Sequence, residues 1–156
     1  MTIAGRLSRA SLLGLTVLLG ACQHSSFNST ESDQEKQIHV YRQAEQKGTV
    51  VFAVAQACEH VGSHPTMDEA RQKIEQTLVL TNKVNAEEAS YIVDRLQTNF
   101  KILNQLPDLK KAHGEIENNL RQASSAEKHE ICRRAAAHNL QEFIDSLKQI
   151  KRQTQH

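Results

Sequence analysis

The chain has 156 residues, 19 Lys and Arg against 18 Asp and Glu, and a formal net charge of +1. That balance argues against a nucleic-acid partner, whose phosphates require clustered positive charge. Two Tyr, four Phe, no Trp and two Pro, in a chain rich in Ala, Gln, Glu, Lys and Leu, make a helix-forming composition with little strand signal.

Residues 1–9 carry Arg6 and Arg9 and no acid, and residues 10–20 are almost wholly apolar through Leu12, Leu13, Leu15, Val17, Leu18 and Leu19. A charged start followed by a short greasy stretch is the pattern of an export signal. About 11 apolar residues in helix reach roughly 16 Å, too short for a hydrocarbon core of about 30 Å. Leu19-Gly20-Ala21-Cys22 resembles a lipobox, so residues 1–21 are expected to be a cleaved lipoprotein signal and Cys22 the lipid-bearing first residue. An ordinary secretory signal with a chance cysteine is the alternative. Gln23 follows the cysteine, and by resemblance to the enterobacterial sorting rule this implies the periplasmic face of the outer membrane. Residues 1–21 hold two of the basic residues and none of the acids, so 135 residues with a balance of −1 remain after cleavage.

Residues 22–37 are polar and Ser-rich, with no helical apolar stripe, and are read as a flexible lipidated tether reaching roughly 20 Å beyond the membrane. Residues 38–152 are expected to form one all-α domain, an antiparallel bundle of four main helices with a short extra helix. The first helix is expected from near Glu35 to near Val61. Gly48 marks a kink or break in it, and Val50 to Cys58 is apolar nearly all round, which means burial on more than one side or contact with a partner.

Thr66 and Glu69 form a Thr-x-x-Glu capping box for a second helix with stripe Met67, Ala70, Ile74 and Leu78, ending near Thr81. Asn85 with Glu88 caps a third, carrying Ala89, Ile92, Val93, Leu96, Phe100 and Leu103 at helical spacing, and Pro107 ends it. Asp108 caps the short extra segment 108–123, with Leu109, Ala112, Ile116 and Leu120, weakened by Gly114. Ser124 and Glu127 open the last main helix, which carries Cys132, Ala135, Asn139, Phe143, Leu147 and Ile150.

Apart from Cys22 there are two cysteines, Cys58 and Cys132. In an oxidising periplasm an isolated pair is expected to form a disulfide, two free thiols being the alternative. The pair can meet in an up-down-up-down bundle only if segment 108–123 adds no full antiparallel leg. That segment is therefore expected to cross the pole or fold back partway.

Enzyme chemistry finds no motif. His60 and His64 are four apart, but Gly62 and Pro65 place a helix end between them, so they are read as exposed helix-end histidines and no metal is expected. A disulfide at Cys132 removes the thiol that His129 or His138 would activate. Met67 with His138 is read as packing and surface rather than a haem pocket. Glu87-Glu88 and Glu115/Glu117 are read as solvated faces, and no Gly-rich phosphate loop or Gly-x-Ser-x-Gly elbow occurs. No cofactor is implied. Val51, Val54, Ile102, Leu140 and Ile144 lie beside the narrow stripes; they widen the core contact or line a groove for an amphipathic partner helix.

With Leu19-Gly20-Ala21-Cys22, a small helical domain, and Cys58 and Cys132 placed in the first and last main helices, the chain resembles the pilotin lipoproteins of type II secretion systems. The resemblance covers roughly residues 45–150 as layout. It implies a monomer that binds the C-terminal segment of a secretin subunit, which folds as a helix on binding, and carries it to the outer membrane. The alternatives are a surface-exclusion lipoprotein or envelope scaffold, and a stress- or metal-binding bundle.

Overall fold

The computed structural model describes residues 28–153, so the signal segment 1–21, Cys22 and the first part of the tether lie outside the described residues. Five helices and no strand are found among them: α1 (Asn28–His60), α2 (Met67–Asn82), α3 (Ala86–Leu103), α4 (Pro107–Gln122) and α5 (Ser125–Gln153). None is long and apolar enough to cross a membrane.

Three helix starts are set by local chemistry. Thr66 Oγ1 accepts from Glu69 N at 3.3 Å, and Glu69 Oε2 accepts from Thr66 N at 2.8 Å. Asn85 Oδ1 accepts from Glu88 N at 2.8 Å, and Ser124 repeats the reciprocal pattern with Glu127. Each bond satisfies an amide that has no partner inside its helix. The donors hold both carboxylates below their usual range: Glu69 chiefly through His64 and then the Thr66 amide, Glu127 through the Ser124 hydroxyl and amide.

Two boundaries depart from the sequence reading. α1 begins at Asn28, so residues 28–37, expected to be tether, form its first turns. Gln34, Glu35, Lys36 and Gln37 are adequate helix formers, and a helix nucleated by a packed segment extends through such residues at little cost. The compact unit itself starts at Lys36, beside the expected boundary at 38. Pro107 does not end α3, which stops at Leu103; it occupies the first turn of α4, where its missing N–H costs nothing. Asp108 is therefore not the cap, and the N-cap residue Leu106 makes no side-chain bond.

One core unites four helices: Val40, Ala44, Val51, Phe52 and Ala55 of α1, Ala70, Ile74 and Leu78 of α2, Ala89, Val93, Leu96 and Phe100 of α3, and Phe143, Leu147 and Ile150 of α5. α2 packs against both α3 and α5. α1 and α5 run antiparallel. Cys58 and Cys132 form a disulfide at one end, with Cα atoms 5.8 Å apart, and about three turns away Lys47 Nζ donates to Glu142 Oε2 at 2.6 Å. That lysine holds the Glu142 carboxyl below its usual range.

α4 takes no part in this core. It is no shorter than α2, at 16 residues each, yet its one buried residue is Leu120. Leu120 joins Ala57, Cys58 and Cys132, with Val54 and Val61 packed against them, in a second cluster around the disulfide. His113 Nε2 lies 3.1 Å from the Ala53 carbonyl oxygen, which sets α4 against the last two turns of α1. The all-round apolarity of Val50 to Cys58 follows from this: one side meets the bundle core and another meets α4.

Gly48 does not break α1, which runs through it without interruption. A Cβ there would stand 2.8 Å from Leu96 Cδ1 and 3.1 Å from Phe143 Cε2. The glycine lets α1 sit close to α3 and α5. Gly48→Val is expected to cost about 2 kcal/mol through overpacking, despite the gain in helix propensity, read as a lower urea midpoint at unchanged slope. A midpoint equal to the parent's would show that the three helices separate freely there.

Candidate functional site

A groove of about 470 Å³ opens on the bundle, walled mainly by α1 and α3 and floored by α2 and α5. Ile38 and Tyr41 of α1 stand at its edge, 51% and 52% exposed. Ile92 and Leu96 come from α3, Leu78 and Asn82 from α2, and Phe143, Leu147 and Ile150 from α5. The helical stripes that build the core thus continue to the surface here. Charge is confined to Arg42, Glu45 and Arg95. Glu45 is held in place: its Oε1 accepts from Asn99 Nδ2 at 2.6 Å and lies 3.5 Å from Arg95 Nη2.

The groove also contains an unmet polar group. Asn82 Oδ1 is buried and has no hydrogen-bond partner among the described residues. Buried acceptors are paired in the great majority of cases, so this atom carries a standing cost. Chemically the site offers apolar burial and a short charged lip.

The five residues expected to line a partner groove are not brought together. Val51 is 5% exposed and belongs to the main core. Val54 packs on the disulfide cluster, Leu140 packs against the main core, and Ile144 is half-buried. Ile102 is 62% exposed at the far end of α3. None lines the groove. A position beside a stripe has an angle about its helix axis, but that angle does not say which flank a neighbour covers. The residues that do line it were visible as Ile38 and Tyr41 on a weakly amphipathic helix start, an apolar surplus ahead of the core segment.

A second cleft, of about 540 Å³, lies between α2 and α5, and most of its lining residues are polar: His64, Glu69, Gln72, Lys73, Gln76, His129 and Arg133, with Pro65 and Ala136. Its charges are largely spent within the protein. His64 Nδ1 lies 2.9 Å from Glu69 Oε2, and Arg133 meets both oxygens of Glu130 at 2.8 Å. Arg133, aided by Arg134, draws the Glu130 carboxyl down to about 2.

Several of the described histidines serve helix packing and helix ends. His60 Nδ1 is 2.7 Å from Glu117 Oε1 and His113 Nδ1 is 3.4 Å from the same oxygen, while Arg121 Nη2 donates to the His60 carbonyl at 3.1 Å. Glu117, read from sequence as a solvated face, is instead 17% exposed and clasps α4 to α1. His129 Nδ1 lies 2.7 Å from the buried Ser63 hydroxyl, tying the α1–α2 loop to α5. Met67 packs against the main core and His138 is exposed. Among the described residues no three His, Cys, Asp or Glu side chains are placed to hold a metal ion. Comparison of the chain with protein-family models, with curated proteins and with solved structures found no match.

Proposed function

We propose that this chain is a pilotin-like lipoprotein: anchored through Cys22 to the outer membrane, it binds the C-terminal segment of a secretin subunit and escorts it there. The observation that carries the reading is the open groove, where Ile38, Tyr41 and Ile92 present apolar surface above the core residues Leu78, Phe143 and Leu147. An amphipathic helix laid in such a groove buries its apolar face. The export signal and lipobox of residues 1–22 give the address. Ordering the guest segment costs free energy that apolar burial must offset, so binding is accompanied by helix formation and a negative heat-capacity change.

The test is titration of residues 23–156 with peptides from secretin C-termini, followed by calorimetry and circular dichroism. The expected result is a cognate peptide bound with a dissociation constant of about 1 μM or tighter and a gain of helicity. Ile38→Asp with Tyr41→Asp should weaken that binding at least ~10-fold while leaving the melting curve in place, since both side chains are about half exposed. Failure of every secretin tail to bind would overturn the escort role. Absence of radiolabelled palmitate on the full chain expressed in bacteria, with Cys22→Ser as control, would overturn the anchor.

A further inference from the structure

The corner where α3 turns into α4 is another place where apolar surface stays outside. Every residue from Gln105 to Ala112 is exposed, as are Lys101, Ile102 and Leu103 before them. Ile102, Leu103, Leu106 and Leu109 are 62%, 40%, 49% and 46% exposed. Four large aliphatic side chains within eight positions are a concentration that folding has left in water; elsewhere such exposed residues, Leu80 at 80% foremost, stand singly or in a pair. Among the described residues, Asn104 ties the corner to Gln56 of α1 at 3.0 Å, and the four aliphatics stay open. An open greasy edge inserts into something soft; it does not receive a guest.

Its charge says into what. Lys101, Lys110 and Lys111 flank the four aliphatics, all three are exposed, and no described residue pairs with their ammonium groups. Asp108 is the one acid on the corner. The first turn of α4 is also without a side-chain cap, so its amides add positive potential at the same spot. Apolar side chains ringed by unpaired cations match an interface of hydrocarbon beneath a layer of negative charge. Lysine stems can lie along the apolar layer while their ammonium groups meet lipid phosphates.

We propose that the α3–α4 corner is a membrane-docking wedge, with Leu106 and Leu109 entering the headgroup layer of an anionic phospholipid bilayer and Lys101, Lys110 and Lys111 holding its phosphates. The contact is separate from Cys22 and from the groove, and it stands whether or not the groove receives a secretin segment. It fixes the face that a tethered body turns to the bilayer.

The test uses residues 23–156, which omit the signal and the lipidated cysteine; the compact unit Lys36–His156 contains every core residue and the disulfide, so this chain keeps the fold. It is mixed with phosphatidylcholine vesicles, with or without about 30% phosphatidylglycerol, and co-sedimentation is measured at about 0.1 M and about 0.5 M salt. The expected result is at least ~10-fold tighter binding to the anionic vesicles, much reduced at high salt. Leu106→Ser with Leu109→Ser, and separately Lys101→Gln with Lys110→Gln and Lys111→Gln, should each cost at least ~10-fold with unchanged helicity. The parent chain has no Trp, so Leu106→Trp gives a reporter whose emission should shift to the blue on anionic vesicles alone. Binding that is absent, equal on both vesicles, or unchanged in the variants overturns the proposal. So does a dimer that Leu106→Ser with Leu109→Ser dissolves while vesicles remain unbound, because it seats a second copy on the corner instead.

Discussion

Cys58→Ala with Cys132→Ala should lower the thermal midpoint by about 15 °C. The bond joins residues separated by 74 positions, and releasing a loop of that length restores about 4 kcal/mol of chain entropy to the unfolded state. Both residues are almost fully buried, at 2% and 0% exposed, in a cluster to which Leu120 is the only buried contribution of α4. That small cluster has few apolar contacts with which to compensate. The loss should therefore be local as well as global, with faster amide exchange at the end of α1, the start of α5 and all of α4. Melting curves of the parent and the double variant measure the first effect, and hydrogen exchange the second. A midpoint within about 3 °C of the parent would mean that the rest of the α1–α5 contact, with its Lys47–Glu142 pair three turns away, keeps the two helices together unaided.

Phe52→Ala should cost about 3–5 kcal/mol, a third or more of the total stability of a domain this size. Phe52 is completely buried in the main core, to which α1, α2, α3 and α5 all contribute. Truncation removes the largest of the fully buried side chains and leaves a cavity that four packed helices cannot easily close. Urea denaturation at constant slope is the measurement. Val50→Ala, only two residues away but 41% exposed, should fall within about 0.5 kcal/mol of the parent. If the two variants lost comparable stability, α1 would be turned about its axis from the orientation described.

Features that are decided over a few residues could be read from the amino acids. Thr66 with Glu69, Asn85 with Glu88 and Ser124 with Glu127 cap the helices they were expected to cap, because donor and acceptor lie three positions apart. The stripes Ala70, Ile74 and Leu78, and Val93, Leu96 and Phe100, are buried for the same reason of spacing. The disulfide was legible from cysteine count, since an isolated pair in an oxidising compartment is expected to join, and Cys58 and Cys132 do. What failed depends on which helix faces which. Glu117 finds His60 at a separation of 57 positions, and His113 finds the Ala53 carbonyl at 60. No local pattern announces either. The lining of the open groove was not legible for a related reason: Val51 and Leu140 are apolar much as Ile38 and Ile92 are. Only the mutual arrangement of four helices decides which apolar residues stay covered. Pro107 deceived because the same ring that stops one helix is well suited to open the next.

The position of α4 has a bearing on redox chemistry. Cys58 and Cys132 have almost no contact with solvent, and Leu120 lies in their cluster. A thiol reagent must approach the sulfurs in line, which requires the side chains packed around them, Leu120 of α4 among them, to part. The clasp of Glu117 on His60 and His113 therefore helps to guard the sulfur bridge, and the pace at which dithiothreitol cleaves it becomes a clock for the breathing of that cluster.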